Sequence, residues 1–218
     1  MISILMPIYN GIEYIDESVW SIIKQTYTSW ELIIGVNGHP ADSIVYLLAK
    51  EYEFNDPRIR VVDYPELKGK SVTLNKMLPL CNYDHVALLD VDDIWLPTKL
   101  EKQLPFLDYD VIGSQCIYFG ERFAGVVPPI PTGDLSNISF LQENPIINSS
   151  AIIKKNDCYW NTMDFYEDYD LWLRLWKQGK QFYNIPEVLV KHRIHASSAF
   201  NSKNTGNLLD ELKASYSS

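Results

Sequence analysis

The chain has 218 residues, of which 46% are apolar and 22% charged, so it can bury a sizeable core and is not a disordered chain. Its length suits one domain, and its net charge of −9 argues against a nucleic-acid partner, because neutralising phosphates requires a basic surface. Three cysteines without a Cys-x-x-Cys pair indicate neither a disulfide framework nor a cysteine zinc site. We find no apolar run of the roughly 20 residues that a membrane span needs and no signal peptide, so we expect a cytoplasmic protein.

The first half of the chain alternates short apolar runs with segments of helical periodicity. The predicted strands are 2–8, 30–36, 59–62 and 85–89. The predicted helices lie around 12–23 and 44–52, from Gly69 to Pro79, and from Pro97 through Leu107. This alternation predicts an α/β fold with a mainly parallel central sheet and helices on both faces.

The second half of the chain is less regular. Its predicted strands are 110–119, 150–153 and 187–194, and its predicted helices are 168–178 and 207–214, with a polar stretch between 194 and 207. Three prolines make 120–133 a predicted loop. Because no repeat or change of composition marks a linker, we expect a single domain, 1–218, in which 1–107 binds a nucleotide and 108–218 shapes a second pocket.

The most informative motif follows the apolar strand that ends at Leu89. Asp90, Asp92 and Asp93 stand at its carboxyl end, where open α/β sheets bind their ligands. Because three neighbouring carboxylates repel one another, this arrangement favours a cation, and hard oxygen ligands suit Mg²⁺ or Mn²⁺. A solvated acidic turn is the alternative. An EF-hand is not indicated, because Ile94 occupies a ligand position and the required glycine is missing.

A second acidic segment opens the helix predicted at 168–178. Glu167, Asp168 and Asp170 would favour the helix dipole, and capping alone can explain them. Crowded carboxylates also raise one another's pKa, which suits a proton acceptor. From this segment alone, capping is favoured over catalysis.

Isolated basic residues complete the candidate set. Lys70 lies in an incomplete phosphate-binding loop, because Tyr64 stands where that motif requires glycine. Lys70 therefore either meets a phosphate or is solvated. His192 and His195 lie near the end of the last predicted strand, where one of them could complete a metal shell, although single histidines more often only form hydrogen bonds.

Five segments, taken together and in this order, carry a family resemblance. They are ILMPIYN at 4–10, WELII at 30–34, DVDDIWLP at 90–97 followed by KLE, EDYDLWLR at 167–174, and RIH at 193–195. The chain thus resembles the family-two inverting glycosyltransferases, which have the GT-A nucleotide-diphospho-sugar transferase fold. The resemblance implies a single-domain GT-A-like fold with an acceptor-side second half. It also implies transfer of a sugar, with inversion, from a nucleoside diphosphate to a saccharide or other hydroxyl acceptor.

The resemblance also assigns roles to individual residues. Pro7, Tyr9 and Asn10 would line the base and ribose pocket, with Asp90 on the ribose side of the donor. Asp92 would bind Mn²⁺ or Mg²⁺ at the diphosphate, with His195 as a further metal or phosphate contact. Asp168 would be the general base. Asn75 matches an asparagine of the family's third helix.

One departure concerns the donor base. The family usually has two aspartates, glycine and serine after the second strand, where this chain has Val36, Asn37, Gly38 and His39. The aspartate that accepts a hydrogen bond from uracil is therefore absent. Asn37 can replace it, but an amide donates as well as accepts and should read bases less selectively. Uridine remains the expected base.

Two alternatives to a transferase stay open. A haloacid-dehalogenase-like phosphatase also places an aspartate pair after an apolar strand and uses Mg²⁺, but its motif normally begins the domain. A non-catalytic nucleotide-sugar binder is suggested by the missing aspartate, whereas the presence of both Asp92 and Asp168 argues against it.

Overall fold

The computed structural model describes residues 1–163, 165–195 and 206–217, so the polar stretch predicted after 194 lies largely outside the described residues. Its strands are β1 (Ile2–Ile8), β2 (Trp30–Asn37), β3 (Ile59–Tyr64), β4 (His85–Leu88), β5 (Ile94–Trp95), β6 (Val111–Gly120), β7 (Gly133–Asp134), β8 (Ile152–Lys154) and β9 (Phe182–Ile194). Its helices are α1 (Ile15–Ile23), α2 (Ile44–Asn55), α3 (Lys70–Met77), α4 (Lys99–Gln103), α5 (Glu167–Lys177) and α6 (Gly206–Ser215).

The described strands form one sheet in the order β3-β2-β1-β4-β8-β6-β9-β5, with β7 added against β9. The first four strands of this order run parallel, and β6 runs parallel to β9 over a long ladder. The antiparallel ladders in the described part of the chain are short and pair three residues at most. The prediction of a mainly parallel sheet is confirmed.

Helices cover both faces of the sheet, as predicted. On one face, α1, α2 and α4 contribute Val19, Ala49 and Leu100 to an apolar cluster that includes alternate residues of β1 and β2. On the other face, α3, α5 and α6 contribute Leu74, Trp172 and Leu212 to a second cluster that includes opposite side chains of the same strands. Because the central strands are apolar on both sides, they are fixed within the molecule, and their carboxyl ends converge at one edge.

The two-residue strands β5 and β7 were not predicted. Proline explains the two largest differences from the predicted bounds. The helix expected through Leu107 ends at Gln103, because Pro105 turns the chain into a short 3₁₀ segment, Leu104–Phe106. The last strand begins at Phe182 rather than Glu187. Pro186 and its neighbour lie in a bulge where the pairing with β6 shifts register, so the missing N–H interrupts the ladder without ending the strand.

Among the described residues, no helix combines the length and the apolarity that crossing a membrane demands.

Candidate active site

A cavity of about 840 Å³ opens at the carboxyl ends of β1, β2 and β4. Six separate stretches of the chain line it, because parallel strands bring their carboxyl ends to the same edge of the sheet. Eight of the nine residues predicted for the site line this cavity: Pro7, Tyr9, Asn10, Asn37, Lys70, Asp90, Asp92 and His195. The remaining one, Asp168, does not belong to the lining, although two of its electrostatic neighbours do.

The end of the cavity near β2 combines an aromatic wall with a buried amide. The Tyr9 and His39 rings lie 5.4 Å apart, and the His39 ring contacts the carbonyl oxygen of Tyr9. Gly38 precedes His39 at φ 71°, and a Cβ there would lie 3.0 Å from the Tyr9 ring. Asn37 is only 2% exposed, and its Nδ2 is buried without a hydrogen-bond partner within the described structure. Asn37 is thus a cavity residue with a buried amide donor that is not satisfied.

Asp90 is held by three residues from two other parts of the chain. Lys70 Nζ lies 2.6 Å from its Oδ1, Asn148 Nδ2 donates to its Oδ2 at 3.0 Å, and its own N–H donates to Ser149 Oγ. Burial opposes ionisation of Asp90, but Lys70 outweighs burial and holds the pKa of Asp90 below its ordinary value. Asp90 is therefore a charged and oriented acceptor on the cavity wall.

Asp92 and Asp93 have different surroundings. The His195 Nε2 lies 3.0 Å from Asp92 Oδ2, and both residues face the cavity. Asp93 is fully buried, and it accepts hydrogen bonds from the Arg193 N–H and the His192 ring. Burial opposes the imidazolium of His192, but Asp93 raises its pKa to about 9. Asp93 thus fastens β9 to the motif, whereas Asp92 is directed toward a ligand.

The pair of Asp92 and His195 bears on the predicted metal. Burial, together with the charges of Asp93 and Asp90, raises the pKa of Asp92, so a cation beside it would relieve repulsion. In the described part of the chain, no group of three His, Cys, Asp or Glu side chains converges on a metal position. Asp92 and His195 alone are too few ligands for an ion held only by protein. They suit Mg²⁺ or Mn²⁺, whose remaining ligands can be a diphosphate and water.

Asp168 lies in the first turn of α5 and is joined to the cavity through a lysine. Its Oδ1 accepts the Tyr169 N–H at 2.7 Å. Lys70 Nζ lies 3.2 Å from Glu167 Oε1 while contacting Asp90, so it bridges α5 and the aspartate motif. Burial and the charge of Glu167 raise the pKa of Asp168 to about 6, against the opposing charge of Lys70. Such a carboxylate is ionised at neutral pH and basic enough to accept a proton.

Lys70 has two carboxylate partners that the sequence did not indicate. Burial opposes its charge, but Asp90 and Glu167 outweigh burial and raise the pKa of Lys70, so it is a cation beside two carboxylates on the cavity wall. A contact between Lys70 and a phosphate stays a prediction. Asn75 does not line the cavity. Its amide pairs with the N–H and the carbonyl oxygen of Trp160 and so joins α3 to the loop before α5.

Sequence reasoning did not find Asn148 and Ser149 as neighbours of Asp90. The pattern Asn-Ser-Ser at 148–150 has the form of a glycosylation sequence, and nothing in its spacing indicates a contact with an aspartate 58 residues earlier. Such a contact depends on antiparallel pairing of β8 with β4, which hydrophobic periodicity does not specify.

Comparison with known proteins identifies the family. Residues 3–170 match the model of Glycosyl transferase family 2. The O-antigen biosynthesis glycosyltransferase WbnJ of Escherichia coli is 31% identical over 209 residues, which cover 91% of this chain and 81% of WbnJ. The chain belongs to Glycosyl transferase family 2.

Solved structures establish the fold. The structure of S. aureus TarS 1–349 with UDP-GlcNAc superposes with a TM-score of 0.75 at 18% identity, covering 99% of this chain and 66% of that one. The mannosyltransferase PcManGT of Pyrobaculum calidifontis, in complex with GDP-Man and Mn²⁺, superposes with a TM-score of 0.70 at 16% identity, covering 91% of this chain and 58% of that one. The chain has the GT-A fold and spans less than two thirds of either solved chain.

These findings decide between the readings of the sequence. The predicted resemblance and fold are confirmed, and the phosphatase alternative is not supported. The roles of the individual site residues stay predictions, since what TarS and PcManGT bind is a property of those proteins.

Proposed function

We propose that this protein transfers a sugar from a nucleoside diphosphate, uridine diphosphate in the first place, to a hydroxyl group of an acceptor with inversion at the anomeric carbon. In this proposal residues 1–107 form the donor-binding half and 108–218 the acceptor-side half. The acceptor is a saccharide or another compound with a free hydroxyl group.

The observation that supports the proposal is the convergence of the predicted donor residues on one cavity. Pro7, Tyr9 and Asn10 follow β1, and Asn37 ends β2, so a nucleoside would lie between these strand ends. Its base would contact the Tyr9 ring and satisfy the Asn37 amide. The diphosphate would extend toward Asp92.

A divalent cation fits the diphosphate end of this cavity. Asp92 and His195 would hold it. Mg²⁺ suits the carboxylate, and Mn²⁺ suits the carboxylate together with the imidazole. When bound, the cation would neutralise charge on the departing diphosphate. Arg193 also lines this end of the cavity, where its guanidinium lies 3.1 Å from Glu17 and packs 4.3 Å over the Tyr14 ring.

The acceptor side supplies the base. Asp168 takes the proton of the acceptor hydroxyl as its oxygen forms a bond to the anomeric carbon. The bond from that carbon to the diphosphate oxygen breaks on the opposite face, and its electron pair leaves with the nucleoside diphosphate. Single displacement of this kind inverts the anomeric configuration. Lys70 keeps the base ionised while its other contact orients Asp90.

Calorimetry and product analysis test the proposal in two steps. UDP should bind in the presence of Mn²⁺ and bind at least about tenfold more weakly after chelation, in the range expected for loss of a metal contact. With water as a slow acceptor, an α-linked UDP-sugar should first release the β-anomer, observed by proton NMR before mutarotation. Absence of nucleotide binding, or release of the α-anomer, contradicts the proposal.

A further inference from the structure

The first turn of α5 contains a second aspartate whose surroundings differ from those of the proposed base. Asp170 is 4% exposed and does not line the cavity. Both of its oxygens are used: Tyr216 Oη donates to Oδ1 at 2.8 Å, and Asn161 Nδ2 donates to Oδ2 at 2.8 Å. One carboxylate therefore joins the start of α5, the loop before it and the segment that follows α6.

The start of α5 needs such support because it has no ordinary cap. Tyr166 precedes the helix at φ 61° and ψ 23°, a left-handed conformation that costs a residue other than glycine about 1 kcal/mol or more. It provides no capping hydrogen bond from its side chain. Since a missing cap costs a helix about 1 kcal/mol, the turn that carries Glu167 and Asp168 depends on contacts from elsewhere.

The C-terminal helix supplies those contacts. Leu212 is 8% exposed, and it packs with Tyr216 into the cluster of apolar residues that contains the buried face of α5. Lys213 Nζ donates to the carbonyl oxygen of Gln142, a neighbouring loop. The family match ends at residue 170, so α6 and Tyr216 lie outside the part of the chain that the family model describes.

We propose that Asp170 and Tyr216 are positioning residues that fix the orientation of Asp168, an inference that rests on the proposed function. Removing the Tyr216 hydroxyl leaves a buried carboxylate oxygen without its donor, which costs about 1 to 3 kcal/mol. The uncapped first turn of α5 loosens as a result. Donor and cation binding persist, because the cavity residues belong to other elements.

Tyr216→Phe tests this inference, because it removes the hydroxyl and keeps the apolar packing. In full-length protein, kcat for transfer or donor hydrolysis should fall about 10- to 100-fold, as expected when a reacting group is displaced by about 1 Å. The donor KM and the affinity for UDP with Mn²⁺ should stay within about twofold of wild type. Lys213→Met is the matched control, since it weakens the docking of α6 and preserves the bond to Asp170.

Hydrogen exchange supplies a second measurement that does not require turnover. The Tyr169 N–H donates to Asp168 Oδ1, so its protection reports the orientation of that carboxylate. Protection should fall in Tyr216→Phe and persist in Lys213→Met.

The two measurements separate the possible outcomes. Unchanged kcat and protection in folded Tyr216→Phe overturn the inference, and so do equal losses in Lys213→Met or a parallel loss of UDP affinity, each of which indicates general destabilisation. If wild type binds UDP but turns over no donor, the proposed function fails. Reduced protection in the phenylalanine variant would then show a structural contact only, and the positioning role would be rejected with it.

Discussion

The two halves of the sheet are stabilised by different kinds of hydrogen bond. In the first half, β1, β2, β3 and β4 pair in parallel over continuous ladders, and backbone hydrogen bonds fix the strand ends that surround the cavity. In the second half, the ladders are short or bulged. Buried side chains there form additional hydrogen bonds to backbone carbonyl oxygens. Asn184 is fully buried and donates to the carbonyl oxygens of Pro131 and Pro145, and Gln103 donates to the carbonyl oxygen of Ser150.

Under the proposed function, this difference would separate donor binding from acceptor activation. A donor site at strand ends would be fixed by the register of the whole sheet, so one substitution would change a contact but not the sheet. An acceptor side held by single side-chain contacts would be easier to alter, because each contact holds one loop or one turn. We therefore expect binding and turnover to respond to different residues, and the following predictions test that separation.

The largest expected effect is on turnover in Asp168→Asn. Asparagine keeps the size of the side chain and a good propensity for helix starts, but an amide cannot accept the acceptor proton. Turnover should fall roughly 10²- to 10⁴-fold. Affinity for UDP with Mn²⁺ should stay near wild type, because the residue does not line the cavity. Calorimetry and a donor hydrolysis assay measure both quantities.

Asp170→Asn and Glu167→Gln serve as comparisons for that variant. If Asp168→Asn retains wild-type turnover while Glu167→Gln does not, the base is Glu167. If UDP binding falls together with turnover in Asp168→Asn, the two halves are not functionally separate.

For Asp92→Asn, the main expected effect is on binding of the nucleotide and not on the base. Losing a charged metal ligand should weaken binding of UDP in the presence of Mn²⁺ by at least about tenfold, the lower range for disturbing even an indirect metal contact. The metal-free protein should unfold at the same or a higher temperature, because repulsion by Asp93 and Asp90 is reduced. Asp108→Asn removes an equal charge at an exposed position outside the cavity and should change neither property. Undiminished Mn²⁺-dependent binding by Asp92→Asn would remove Asp92 from the metal site.

The sequence predicted the strands and the cavity, but not the side-chain contacts that join distant elements. Apolar runs and turn signals located β1 to β4, and the position of Asp90 and Asp92 after a buried strand located the cavity, since topology alone brings strand ends together. The contacts of Lys70 with Glu167 and of Asp170 with Tyr216 left no signal. Each joins elements that are far apart in sequence, and a single side-chain hydrogen bond has no periodicity from which it could be inferred.

The pH dependence of turnover should report the acceptor side. Because the pKa of Asp168 is raised to about 6, its ionised form, the active form of the proposed base, is lost as pH falls below 6. Turnover should then decrease about tenfold per pH unit, while UDP affinity at the same pH changes less. The folded protein holds this proton more tightly than the unfolded chain, so stability decreases as pH rises from about 4 to 6. A flat turnover profile between pH 5 and pH 8 would argue against Asp168 as the base.

The smallest expected effect concerns the donor base, and it arises from Asn37. In the free protein an aspartate at this position would place a buried carboxylate oxygen without a partner where Asn37 Nδ2 lies, so Asn37→Asp should lower the melting temperature at neutral pH. Bound uracil offers a ring N–H to that carboxylate, and a charged acceptor strengthens the hydrogen bond by about 1 kcal/mol relative to a neutral one. Thermal shifts induced by UDP should therefore be larger in the variant than in wild type.

The ratio of UDP to GDP affinity in Asn37→Asp should rise about three- to tenfold, corresponding to about 0.7 to 1.4 kcal/mol. Asn137→Asp introduces the same charge at an exposed position outside the cavity and should leave the ratio unchanged. A clear preference of the wild type for GDP, or an equal change of the ratio in Asn137→Asp, would show that Asn37 does not read the base.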